Sequence, residues 1–218
     1  MLDFILSKLN LLILVTAIFA IVAFFTFSLT DIAKVKEASE LASRVREMAF
    51  SLATSDNYCI GDSYPMPGEL AIAGSSFYYV AQVTKQELET QNGPVNVLIF
   101  SIYPREEMKK WSDDSSYQPK AIAADSLRTT SELHLYSPDY HGDSYDSSTT
   151  DLVEAEKIIL DPQAVMPSDA VEALKEIVNG KSHVYIFGCN SKLCESYKSA
   201  VGESVHPKTP NDDGGFEC

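Results

Sequence analysis

The first 60 residues contain no glycine and no proline; all 10 of each fall between Gly61 and Cys218. Nothing in that stretch therefore obliges the backbone to leave a helix. Residues 9–30 also lack any charge, and cysteine is absent before Cys59. Clusters of Lys or Arg are missing throughout: beyond Ser55, 12 basic residues face 26 acidic ones, so the whole net charge of −14 lies there. Because phosphate binding needs grouped cations, nucleic acid is excluded as a partner.

The uncharged stretch is LNLLILVTAIFAIVAFFTFSLT, 22 residues from Leu9 to Thr30. As a helix it would span roughly 33 Å, enough for the hydrocarbon core of a bilayer. A secretory signal would have a shorter apolar run followed by small residues at a cleavage site. Phe24-Phe25-Thr26-Phe27-Ser28-Leu29 offers none, so a retained transmembrane anchor is expected, with the lipid bilayer as its first partner. Two signals bear on orientation and disagree. Lys34, Lys36, Arg44 and Arg46 follow the run while only Lys8 precedes it, which favours a cytoplasmic C-terminal side. Cysteine placement and the acidic distal region favour the outside, and an extracytoplasmic domain is the orientation expected here, since long domains translocate largely regardless of charge.

From Ile32 onward apolar residues recur as Val35, Ala38, Leu41, Ala42, Val45, Met48, Ala49 and Leu52, one stripe of a helix. The simplest expectation is a single rod from about Leu9 to about Thr54. The alternative is a break near Ser28–Asp31, where Ser28 with Asp31 three residues on has the spacing of an N-cap. A narrow, Ala-rich stripe suits close packing. Its expected occupant is the chain's own distal domain; a neighbouring helix of a second subunit is the competitor.

After Asp56 the texture changes to a loop rich in Tyr, Pro and Gly, then to strand-like runs. Phe77–Thr84 and Val95–Tyr103 are dense in β-branched and aromatic residues and flank Asn92-Gly93-Pro94, which predicts an antiparallel hairpin. A short helix is expected over Pro104–Trp111. Ser131–Tyr136 alternates as a half-buried strand, Glu156–Leu160 reads as another, and His183–Phe187 as a third. Between the last two, Ser168 stands as an N-cap before Val171, Leu174, Ile177 and Val178, with Gly180 as a stop, which predicts a helix and allows a βαβ unit. The fold class expected is α+β: an N-terminal transmembrane helix continuing into a long amphipathic helix, then a mainly antiparallel sheet domain with one or two short helices. The division is residues 1–30 as anchor, 31–55 as amphipathic helix or stalk, and 56–218 as an acidic extracytoplasmic domain, with 201–218 as an irregular tail.

Four cysteines, Cys59, Cys189, Cys194 and Cys218, all lie beyond the apolar run. An even number in an exported domain suggests two disulfides, with three connectivities open. The local choice pairs Cys189 with Cys194 and leaves Cys59 with Cys218, closing a long loop. No metal site is expected, because Cys189-x4-Cys194 has neither a CxxC partner nor a close histidine pair. His134, His141, His183 and His206 are scattered along the chain. The acidic loop with Asp139, Asp143, Asp146 and Asp151 lacks the ligand order of an EF-hand and reads as solvated surface. With no nucleophile elbow and no phosphate-binding glycine loop, neither catalytic residues nor cofactors are expected, and the chain reads as non-enzymatic.

The layout of an apolar helix running unbroken into an amphipathic one, followed by a β-rich domain with cysteines near its end, resembles type IV pilins and pseudopilins. That resemblance covers the whole chain as architecture and implies assembly, with apolar helices bundled and the heads facing outward. Self-association or other membrane-helix subunits are the partners it implies. A Gly or Ala after a basic leader is absent before the apolar run, as is the glutamate pilins carry near its start; Asp3 and Asn10 are the polar residues there. LDFILSKLNLLILVTAIFAI and QPKAIAADSLRT are similar to stretches of uncharacterised single-pass archaeal membrane proteins, a similarity that implies a membrane location but does not point to an activity. A membrane-tethered ligand-binding or sensing ectodomain is the other reading.

Overall fold

A single helix, α1 (Leu2–Thr54), runs for 53 residues without interruption. The computed structural model describes residues 2–72, 75–91, 93–114, 116–138, 152–164 and 169–189. Ser28 does not cap a new helix: the turns continue through it, and the Thr30 hydroxyl donates to the Thr26 carbonyl at 2.9 Å, one turn back. With neither Gly nor Pro present, the intrahelical ladder has no reason to break.

After α1 come β1 (Cys59–Pro65), β2 (Leu70–Ile72), β3 (Ser75–Phe77), β4 (Tyr79–Thr90) and β5 (Gly93–Pro104). α2 (Arg105–Asp113) follows, then β6 (Ala123–Thr129), β7 (Glu132–Pro138), β8 (Leu152–Glu154), β9 (Lys157–Leu160), β10 (Ala170–Val178) and β11 (Lys181–Cys189). The strands form a five-stranded sheet in the order β1-β10-β11-β7-β8, a four-stranded sheet in the order β6-β5-β4-β9, and the small β2-β3 pair. Among the described residues every pairing is antiparallel except β11 with β7. The class is therefore α+β with mainly antiparallel sheets and one short helix among the described residues.

The hairpin β4–β5 pairs Thr90 with Gly93, and Gly93 takes φ 110°, a conformation open to glycine at little cost. The short helix starts directly after Pro104, whose fixed φ of −58° suits a helix entry.

Two expectations are corrected. Val171–Val178 is not a helix but strand β10, hairpinned to β11, so no βαβ unit forms there. Asn179 and Gly180 have φ of 52° and 78°, two consecutive positive values of the type I′ turn that matches strand twist. What reads as a helix stop is the second residue of a hairpin turn. Residues 57–76, read as loop, supply β1, β2 and the first two residues of β3 instead. Pro65 lies at the end of β1, an edge strand, where a missing N–H costs little. The expected cap Ser168, the loop 139–151 and the tail 201–218 lie outside the described residues.

Both large sheets and the second half of α1 share one core. Leu41, Ala42, Val45, Ala49 and Leu52 of the helix pack with Leu98 and Phe100 of β5, Leu135 of β7, Ile158 and Leu160 of β9, and Val184 and Ile186 of β11. The amphipathic segment is thus the central element of the head rather than a free stalk.

Candidate functional site

α1 divides into two halves with opposite surroundings. From Leu9 to Leu29 its large apolar side chains are exposed, Phe27 to 73%. This part has a window of mean hydropathy 2.7 with none of it buried in protein, so the helix is long and apolar enough to cross a membrane. Both threonine hydroxyls in it are already satisfied: Thr16 donates to the Leu12 carbonyl at 2.9 Å and Thr26 to that of Val22 at 2.9 Å. Such internal bonds lower the cost of placing a hydroxyl in hydrocarbon.

The second half is held by the head. Ala38, Leu41, Ala42, Val45, Met48, Ala49 and Leu52 are all buried. Val35, expected on the same face, is 48% exposed. It precedes the level at which the stripe enters the core, and with Ile32 it lines a shallow groove shared with Asp31, Lys36 and Ser39. Polar contacts flank the buried stripe: the Ser43 hydroxyl donates to Asp125 Oδ2 at 2.9 Å, and Arg46 Nε lies 3.8 Å from Asp125 Oδ1 on β6.

A cavity of about 1030 Å³ opens where the apolar run ends. Asp31 and Lys34 of α1, Tyr78, Arg105, Trp111 and Ile159 are among the residues that line it. Arg105 is fixed there by Asp161 at 3.1 Å and by the Gln163 carbonyl at 2.9 Å. Lys157 lies over the Trp111 ring, 4.6 Å from its centroid.

The parallel pair β7–β11 builds the third feature. Alternation turns Leu133, Leu135, Val184 and Ile186 into the core and places Glu132, His134, Tyr136, His183, Tyr185 and Phe187 on the opposite face. The rings form a ladder: His134 stacks with Tyr185 at 4.9 Å, and Tyr136 with Phe187 at 5.4 Å. Burial raises the Tyr185 hydroxyl to about 12. At one end, His134 Nε2 lies 3.3 Å from His183 Nδ1, and His183 Nδ1 lies 3.4 Å from Glu132 Oε2. Glu154 on β8 reaches the other nitrogen of His134, Nδ1, at 3.3 Å. Lys181 holds the Glu132 carboxyl below its ordinary range, and Lys85 does the same for Glu154. Sequence reading left these histidines scattered, since only the parallel pairing of distant strands joins them. The one local signal is Glu132-x-His134, two side chains on one face of a strand.

Of the cysteines, Cys59 begins β1 and Cys189 ends β11, while Cys194 and Cys218 lie outside the described residues. Cys59 stands opposite Glu176 and Cys189 opposite Ala170 on the intervening β10. Six residues of strand separate those levels, about 20 Å. A Cys59–Cys189 bridge, which needs Cα atoms within about 7 Å, is excluded, and two of the three connectivities remain. Compared with protein-family models, curated proteins and solved structures, the chain matches none.

Proposed function

We propose that this chain is a single-pass membrane protein of pilin-like layout, carrying an acidic β-rich head outside the cytoplasm and working by display and assembly rather than catalysis. One observation carries the reading. A single unbroken helix is exposed and apolar over Leu9–Leu29, yet buried in the head from Ala38 to Leu52. The exposed half needs a hydrocarbon environment, supplied either by lipid or by equivalent helices of neighbouring subunits. Because the helix is continuous, packing between the anchors would be transmitted rigidly to the heads. Only about two helical turns separate Leu29 from the buried stripe, which seats the head close to the membrane surface. An acidic head is repelled by anionic lipid and stays soluble beside it.

The test is extraction of the full-length chain from membranes in mild detergent, with sizing and cross-linking, alongside protease treatment of intact cells. Assembly predicts species larger than one chain and a head accessible from outside. A strictly monomeric protein with no co-purifying helix would sink the assembly reading; a head protected in intact cells would reverse the orientation.

The cavity beside Asp31 and Lys34 favours a second reading, a tethered ectodomain that binds a small amphipathic ligand at the root of the helix. A ligand that raises the melting temperature of wild type, and loses that effect in Trp111→Ala, would support it.

A further inference from the structure

We propose that Glu132, His134 and His183 form a site for a divalent transition metal ion, Zn2+ in the first instance, that clips β7 to β11. Their candidate ligand atoms all lie within 4.8 Å of one another. The spacing is that of a coordination shell: two ligands at about 2.05 Å in a tetrahedral array stand about 3.3 Å apart. His134 Nε2 to His183 Nδ1 is 3.3 Å, and His183 Nδ1 to Glu132 Oε2 is 3.4 Å. Without an ion, the two imidazoles share one N–H between facing nitrogens, a long bond for such a pair. A metal replaces that proton with a bond to each nitrogen and releases the proton to solvent.

The second nitrogen of His134 and the second oxygen of Glu132 already have partners. His134 Nδ1 faces Glu154 Oε1 at 3.3 Å, a carboxylate behind an imidazole, which holds the tautomer that leaves Nε2 free for an ion. Glu154 is itself fixed by Lys85 Nζ at 2.9 Å. Lys181 Nζ takes Glu132 Oε1 at 3.1 Å, leaving Oε2 turned toward His183. Two lysines stand against the carboxyls of Glu132 and Glu154, and Glu176 lies opposite His183 on β10, so an arriving dication meets no net positive charge.

Accessibility suits uptake from solvent. The side chains of His134 and His183 are 24% and 16% exposed, while Tyr185 forms a buried wall against His134. Two imidazoles and one carboxylate select Zn2+, Co2+, Ni2+ or Cu2+ over Ca2+ and Mg2+, which prefer all-oxygen shells. Three protein ligands leave a fourth position for water.

The experiment uses the full-length chain in detergent, with any free thiols alkylated and metal stripped by a chelator. ZnCl2 is titrated by calorimetry, and CoCl2 by its visible absorption. The expected result is one ion per chain, the intense visible bands of tetrahedral cobalt, and no uptake of MgCl2 or CaCl2. His134→Ala and His183→Ala are each expected to weaken binding by about 100-fold or more, and Glu132→Gln and Glu154→Gln by at least about 10-fold. The double variant His141→Ala/His206→Ala is expected to bind as wild type. Circular dichroism checks that each variant is folded; should either alanine variant unfold, His183→Gln and Glu132→Gln carry the test. Two outcomes overturn the proposal: no stoichiometric uptake by folded wild-type protein, which leaves the pair as a hydrogen-bonded ladder, or uptake that survives loss of His183 and Glu132.

Discussion

Lys175, buried on β10, donates through Nζ to the backbone carbonyl of Ser55 and, at 3.4 Å, to that of Ala53. α1 has no basic residue in its last turn, so its C-terminal carbonyls receive their cation from a strand more than a hundred residues away. The ammonium meets the negative end of the helix dipole and is solvated by carbonyl oxygens in place of water. Replacing Lys175 by Met keeps the stem's packing but removes the donor. The expected cost is about 2 kcal/mol, with faster amide hydrogen exchange over the last turn of α1. Unchanged exchange there would mean that the side chain contributes only packing.

Gly188 on β11 lies against β9, where the two large sheets pack closely. A Cβ built on it would meet the Ile158 Cγ2 methyl and lie 2.9 Å from Leu160 Cδ2, both on β9. Ile158 and Leu160 are themselves buried, so neither methyl can swing into solvent. Gly188→Ala should therefore lower stability by about 1–3 kcal/mol through overpacking. Pairing it with Ile158→Ala should recover part of that loss, a coupling that a double-mutant cycle in thermal unfolding measures directly.

How much of this was legible in the sequence follows from which side chains carried the signal. The hairpin β4–β5, the helix after Pro104 and the strand around Leu133–Leu135 were readable because apolar periodicity and turn residues agree there. β10 was misread because it is buried on both faces: Ala170, Val171, Glu172 and Ala173 are all buried, so no alternation survives. What remained, Val171, Leu174, Ile177 and Val178 before a glycine, fits a helix period equally well. The buried stripe of α1 was legible residue by residue, except at Val35, where helix period continues but the head does not. The cluster of His134 and His183 was not legible, because their meeting depends on strand order and a parallel register, neither of which leaves a local mark.

Tyr79 is buried, and its hydroxyl donates to the Pro67 carbonyl at 2.6 Å. Burial raises its pKa above the ordinary tyrosine value. Below about pH 10 both folded and unfolded states keep this proton, and the residue contributes no pH dependence. Above that, the unfolded chain ionises while the folded one does not, so stability falls as pH rises, by up to about 1.4 kcal/mol per pH unit for one proton. Tyr79→Phe should cost about 1 kcal/mol at neutral pH through the lost hydrogen bond. It should also make the decline above pH 10 shallower by one proton. Parallel decline in both proteins would show that the hydroxyl ionises freely in the fold.

Ala42 and Val35 separate what α1 does for the head from what it does for assembly. Ala42 is buried at the approach of the helix to the sheets, and Ala42→Leu should destabilise the head by about 1–3 kcal/mol, because the core has no room for the added methylenes. Val35 and Ile32 lie on the same helix, 48% and 65% exposed, beyond the reach of the core. Changing Val35 to Ser should leave the melting temperature of the head nearly as it was, within about 0.5 kcal/mol. If neighbouring helices cover this groove in a membrane assembly, the same substitution should reduce the cross-linked fraction of the detergent-extracted protein. Loss of cross-linking with stability retained would assign the groove to subunit contact. Equal cross-linking in Val35→Ser and wild type would place any helix contact elsewhere on α1, and a loss of head stability would return Val35 to the core from which the structure excludes it.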